Sequence, residues 1–102
     1  MQAIIKEAVD KGIYVVAAAG NDGPLGTNYP GNDANCFCVG AIDSDRQVAN
    51  FSSRGAEVDC VGPGVDVLSA WSLGRYVTVS GTSMATPWVR SEERRVGKEC
   101  RL

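Results

Sequence analysis

No histidine occurs anywhere in the 102 residues. The side chain most often used as a general base near neutral pH is therefore missing from the chain. No apolar stretch approaches the ~20 residues needed to cross a bilayer as a helix. Lysine and arginine form no basic face, and the net charge is −2, so the electrostatic footprint of a nucleic-acid binder is also missing. What is present is a single-domain length with 44% hydrophobic and 22% charged residues, enough for one modest core.

Along the chain, residues 2–11 have the spacing of an amphipathic helix, with Ile4, Ile5 and Ala8 on one face and Lys6, Glu7, Asp10 and Lys11 elsewhere. Gly12 is placed to end it as the left-handed residue just past the last turn. Residues 13–18 then form a continuous apolar run rich in β-branched side chains, the pattern of a central parallel strand covered on both faces. Helix followed by buried strand is half of a βαβ unit, which predicts an α/β fold whose preceding strands lie outside this sequence. Residues 36–42 and 58–61 read as further strands, and residues 65–71 and 75–79 as a hairpin across Ser72-Leu73-Gly74.

Two turns carry the candidate chemistry. The first, Gly20-Asn21-Asp22-Gly23-Pro24, follows the buried strand, and strand C-termini are where open α/β sheets bind ligands. Asn21 also suits such a turn simply because asparagine tolerates left-handed backbone. The second is Gly81-Thr82-Ser83-Met84-Ala85-Thr86-Pro87, which delivers a serine to the expected start of a helix. There the helix field stabilises a developing negative charge, and Thr82 or Ser83 is equally suited to be an ordinary N-cap.

The heptapeptide 81–87 resembles the nucleophile motif of the subtilases, the subtilisin and proteinase K family of serine proteases. Val16-Ala17-Ala18-Ala19-Gly20-Asn21, Ala49-Asn50-Phe51-Ser52-Ser53-Arg54-Gly55 and Val61-Gly62-Pro63-Gly64 resemble three further family segments in family order, and the similarity runs from Ala3 to Val89. The resemblance implies a three-layer αβα fold with a mostly parallel sheet, incomplete here. It also implies a serine endopeptidase acting on peptide or protein substrates through an acyl-enzyme on Ser83, with no cofactor for catalysis. Asn21 would donate to the oxyanion, a role whose removal costs roughly 10²–10³ in turnover in this family, a borrowed magnitude. Ala18, Ala19 and Gly20 would wall the pocket for the residue before the scissile bond, and Asn28 or Tyr29 would lie near its base, although Tyr-Pro-Gly is also an ordinary turn.

In the family order the aspartate and histidine of the triad precede the serine, so both are expected in an upstream part of the same domain, and this chain alone is expected to be inactive or nearly so. A peptide-binding remnant without cleavage is the alternative. A nucleotide-binding loop at 19–23 is a weaker one, since the full glycine fingerprint is missing. The resemblance further implies secretion. It also suggests a structural calcium held by Asp59 with backbone carbonyls around Ala34 and Cys36, a donor set that suits the ion. Lying between Val58 and Cys60, Asp59 is expected near the core with a partner, whether that partner is an ion or a hydrogen-bond donor.

Cys36 and Cys38 share a strand face if the strand forms, and Cys60 falls on the next strand segment. A bridge from Cys60 to one of them and three buried thiols are both compatible with that placement. Cys-x-Cys without a second pair is poor evidence for zinc. After Pro87 the resemblance fades, with Trp88 where the family has histidine. The thirteen residues from 90 to 102 hold eight of the 22 charged residues, and are set apart from the domain at 1–89 as a non-native or disordered charged tail, a solvated terminus being the plain alternative.

Overall fold

The structure, a computed structural model, describes the backbone of residues 2–99 and side chains as far as residue 91. Helix α1 spans Gln2–Asp10, and strands β1 (Val16–Ala18), β2 (Phe37–Ile42) and β3 (Cys60–Pro63) form one parallel sheet in the order β1-β2-β3. Strands β4 (Val67–Trp71) and β5 (Arg75–Val79) form the expected antiparallel hairpin, and helix α2 runs from Thr82 to Glu99. The parallel sheet with helices is the α/β pattern read from the sequence.

Helix α1 ends as its sequence demands. Gly12 adopts φ +84°, the Gly12 N–H donates to the Val9 carbonyl, and the Ile13 N–H donates to the Ala8 carbonyl, which is the paired capping of a left-handed helix terminus. Its buried face is carried by Ile5, with Ala8 and Val9 half-buried. Ile4 is 69% exposed, so it does not belong to the core face assigned to it: one residue is 100° of helical rotation, and Ile5 takes the inward position. The ion pairs Lys6–Asp10 and Lys11–Glu7 lie on the solvent side and contribute little.

The strand at 13–18 is shorter and less covered than expected. Only Val16–Ala18 pairs, with β2, and Ile13 and Tyr14 are exposed. Its apolar character is that of a strand with neighbours on both edges; among the described residues it pairs with β2 alone, and its other edge is the one that the preceding strands expected from the sequence would take.

Register then decides what faces what. Val16 pairs with Phe37, Val39 with Cys60, and Ala41 with Gly62. Because strand side chains alternate, Phe37, Val39, Ala41 and Cys60 all point to one face, where they pack with Ala85 and Val89 of α2. Helix α2 therefore lies across the sheet and touches all three strands. It continues through residues 89 and 90, where the sequence suggested a boundary; the remainder of the tail beyond Glu99 lies outside the described residues.

The same register settles the cysteines. β2 and β3 are neighbours as supposed, but Cys60 sits opposite Val39 on the α2 face whereas Cys38 points to the other face. Cys36, Cys38 and Cys60 are all free thiols, so no bridge forms among them. Burial, with Asp59 and Glu57 adding to it, pushes the Cys38 thiol up from its ordinary 9.0 to about 11. Between those values the unfolded chain releases a proton that the folded chain retains, so stability present below pH 9 is lost as the pH rises toward 11. The expected result is a urea midpoint that falls over this interval, with a shallower fall in Cys38→Ala; identical slopes in the two proteins would refute the assignment.

Candidate functional site

The two turns singled out in the sequence meet at the N-terminus of α2. Thr82, only 1% exposed, connects them. Its backbone N–H and its hydroxyl both donate to Asn21 Oδ1 at 3.0 Å, and its hydroxyl oxygen accepts the Gly20 N–H at 3.2 Å. The orientation of the Asn21 amide follows, since a backbone N–H must face an oxygen. Asn21 Nδ2 is thereby turned away from Thr82 and left to donate elsewhere. Ser83, the next residue, is exposed on the second position of α2. It borders a groove of about 460 Å³ lined by Val16, Ala17, Ala18, Thr86, Pro87 and Arg90 among others.

The Gly20–Gly23 turn is braced from behind by the segment at 49–55. The Ser53 N–H donates to the Gly20 carbonyl, Ser53 Oγ accepts the Asp22 N–H, the Gly23 N–H donates to Phe51 O, and the Arg54 N–H donates to Gly23 O. Ser52, buried beside it, accepts the Ala41 N–H and so anchors the segment to β2. These bonds also remove the phosphate-loop reading: the N–H groups of Gly20, Asp22 and Gly23 are all consumed within the protein, leaving no cradle for an anion. In the sequence Thr82 reads as a cap and Ser53 does not stand out as a brace; the only signal is that both are small hydroxyl residues in glycine-containing segments.

On the other side of Gly20 lies Asn28. A Cβ at Gly20 would overlap the Asn28 amide, and one at Gly31 would overlap the Ala18 carbonyl, so both glycines are required for the loop 28–31 to close against the strand end. Asn28 Nδ2 donates to Asp22 Oδ2 at 2.8 Å, and its backbone N–H donates to Ala19 O at 2.9 Å. Ala18, Gly20 and Asn28 are thus brought together around the turn, and Tyr29, the next residue, is exposed. The Ala19 side chain is fully buried, and the residue meets the loop through its carbonyl, which accepts the Asn28 N–H.

Asp59 also departs from expectation. It is exposed rather than near the core, because Cys60 takes the inward direction, and it is tied to β2 by a reciprocal pair of bonds: Asp59 Oδ2 accepts the Cys38 N–H at 2.8 Å and the Asp59 N–H donates to Cys38 O. It borders two recesses, one of about 470 Å³ with Tyr14, Asn35 and Phe37, and one of about 280 Å³ with Asp33 and Glu57; Ala34 and Cys36 border both. Neither Asp33 nor Glu57 stands out in the sequence. Among the described residues no three His, Cys, Asp or Glu side chains already converge at metal-ligand spacing.

Comparison with known proteins decides what this arrangement belongs to. A family model, Peptidase_S8: Subtilase family, matches residues 1–91. The chain belongs to the subtilase family. It is 44% identical over 89 residues to a thermostable alkaline protease of Halalkalibacterium halodurans, covering 87% of this chain and 25% of that protein. To subtilisin DY of Bacillus licheniformis it is 46% identical over 93 residues, covering 83% of this chain and 34% of the relative. Among solved structures it superposes on the prenylagaramide maturation protease PagA with a TM-score of 0.82 at 32% identity, over 87% of this chain and 34% of that one. The subtilase chain thus spans a quarter to a third of the length of these relatives, and its sheet is part of an αβα subtilase domain.

In this subtilase the clamp between Thr82 and Asn21 has a measurable worth. Thr82→Val keeps the buried shape but strands the Gly20 N–H, a loss of about 1–3 kcal/mol. Chemical denaturation is expected to show that loss in Thr82→Val and a smaller one in Thr82→Ser, which retains the hydroxyl; a larger loss in Thr82→Ser than in Thr82→Val would mean that the methyl group, not the hydroxyl, matters.

Proposed function

We propose that this chain is the nucleophile-bearing part of a secreted serine endopeptidase that hydrolyses peptide bonds in protein or peptide substrates. The observation that carries the reading is the bond pair from Thr82 to Asn21 Oδ1, which presents a free amide N–H group next to an exposed serine at a helix N-terminus. In the proposed mechanism Ser83 Oγ attacks the scissile carbonyl. Asn21 Nδ2 and the Ser83 backbone N–H donate to the oxygen as it gains charge, and the field of α2 adds to them. The run Ala18-Ala19-Gly20 and the loop at Asn28 and Tyr29 would border the residue before the scissile bond, with Asn28 held in place by Asp22.

The chain has no histidine, so the proton of Ser83 must go to a base supplied by the upstream part of the domain, and the groove between β1 and α2 has room to admit it. The chain alone is expected to show no turnover. The deciding experiment joins the chain to the upstream sequence of its source DNA, expresses the whole and assays the culture supernatant with a peptide ester. Labelling of Ser83 by a sulfonyl fluoride and ester turnover support the reading. A full-length protein that carries the upstream aspartate and histidine yet neither turns over ester nor labels at Ser83 would sink it.

We further propose a structural calcium near Asp59, with backbone carbonyls around Ala34 and Cys36. Supporting it is a buried carboxylate oxygen of Asp33 that has no partner among the described residues, beside the recess that Asp59 borders. An ion there would tie the loop before β2 to the segment entering β3 and offset the charge of the surrounding carboxylates.

A further inference from the structure

In the proposed mechanism the Asn21 amide must already point at the carbonyl oxygen when charge develops there, because a preorganised donor loses nothing to reorientation at that moment. Thr82 fixes one end of the amide through Oδ1. A side chain clamped at its far end still swings with the backbone that carries it, so the peptide groups on either side of Asn21 must be held as well. Local structure does not hold them. Gly20 adopts φ +113°, and Asn21 and Asp22 are exposed and lie outside any strand or helix.

One residue reaches both flanks. The Ser53 N–H donates to the Gly20 carbonyl at 2.8 Å, and Ser53 Oγ accepts the Asp22 N–H at 3.0 Å. Ser53 is 2% exposed, so water does not compete for either bond. Its Oγ would stand 3.0 Å from a Cβ on Gly20, which places the hydroxyl directly against the turn. The neighbours of Ser53 are themselves anchored: Ser52 Oγ accepts the Ala41 N–H of β2, and the Arg54 N–H donates to the Gly23 carbonyl. Ser53 does not border the groove beside Ser83, so any influence it has there passes through the turn.

We propose that Ser53 is a positioning residue for the oxyanion donor: by bonding the peptide groups before and after Asn21 it keeps the amide aimed, and its hydroxyl contributes to the rate although it lies outside the groove. The inference rests on the endopeptidase reading and adds to it a residue that acts through Asn21.

Ser53→Ala removes the acceptor of the Asp22 N–H and leaves the backbone bond to Gly20 in place. In the complete enzyme, steady-state kinetics on one peptide ester are expected to show kcat lowered about tenfold, the rate equivalent of one hydrogen bond, with KM little changed. The deciding arm is the Asn21→Ala background, which has no amide left to aim; there Ser53→Ala is expected to cost less than about twofold more. Ser53→Cys, which fills a similar space with a weak acceptor, repeats both arms should the alanine variant fail to fold. Equal losses in the two backgrounds would mean that Ser53 supports the fold and not the donor, and no loss in either would mean that the turn holds itself. Each of these overturns the assignment and leaves the endopeptidase reading standing. If Asn21→Ala is as fast as the unaltered enzyme, Asn21 is not the donor and the role of Ser53 falls with it. Failure of the endopeptidase reading looks different, since the unaltered enzyme then neither turns over ester nor labels at Ser83, and it takes the assignment of Ser53 with it.

Discussion

In the complete enzyme, Ser83→Ala is expected to abolish ester turnover by about 10⁶, and Asn21→Ala to lower it by roughly 10²–10³ with little change in KM, both magnitudes being those of subtilisin itself. The difference follows from what each side chain does. In the proposed mechanism Ser83 forms the covalent bond, and the other described hydroxyls of the groove, Thr86 and Ser91, lie about one and two turns further along α2. Asn21 would donate one hydrogen bond that strengthens only as the carbonyl oxygen becomes negative, so its loss is expected to fall on kcat. The structure adds a ranking of its own. Because Thr82 fixes which end of the Asn21 amide points outward, Asn21→Asp keeps the shape yet replaces the donor with a carboxylate oxygen that repels the developing charge. Asn21→Asp is therefore expected to be at least as slow as Asn21→Ala. Steady-state kinetics on one peptide ester decide it: an Asn21→Asp enzyme faster than Asn21→Ala would mean that the amide is not turned as described.

Much of this site is legible in the residues. The glycine-framed serine and the asparagine at the strand end stand out separately, and the fold does bring them together. What cannot be read is the element that joins them. Thr82 looks like any N-cap threonine, and its partner is 61 residues away, a pairing that only the tertiary fold creates. Helix α1 and the hairpin are readable because their periodicity and end signals are local. The strand at 13–18 reads as one built for cover on both sides; among the described residues it pairs with β2 alone, because composition reports the coverage a strand is built for and not which neighbours belong to the same stretch of chain. The cysteines show the sharper limit. Strand assignment alone leaves a bridge open, and a single step of register puts Cys60 and Cys38 on opposite faces. Asp33 escapes notice because an aspartate in a glycine- and asparagine-rich loop is ordinary; only its burial with a free oxygen distinguishes it.

The second large effect is expected at a residue far from the chemistry in kind, though not in space. Gly64, just past β3, lies under the first turn of α2. Its N–H donates to Ile42 O, and its carbonyl accepts the Gly81 N–H at 2.8 Å, which fixes the residue that leads into Thr82 and Ser83. A Cβ at Gly64 would stand 2.6 Å from the Ala41 Cβ and 2.7 Å from the Gly81 carbonyl oxygen, inside contact with backbone that cannot rotate away. Gly64→Ala must therefore push α2 off the sheet, break the bond to Gly81, or both. Overpacking of this kind costs about 1–3 kcal/mol or more, a large part of the stability of a small domain. In the complete enzyme, a displacement of Ser83 by about 1 Å is worth roughly 10²-fold in rate. Gly62→Ala supplies the comparison, since its Cβ would meet the Ala85 carbonyl at 3.0 Å, a contact that a small adjustment relieves. Urea unfolding is expected to rank Gly64→Ala well below Gly62→Ala in stability. The reverse order would show that α2 yields easily at its first turn and that the small residues of β3 do not set the position of Ser83.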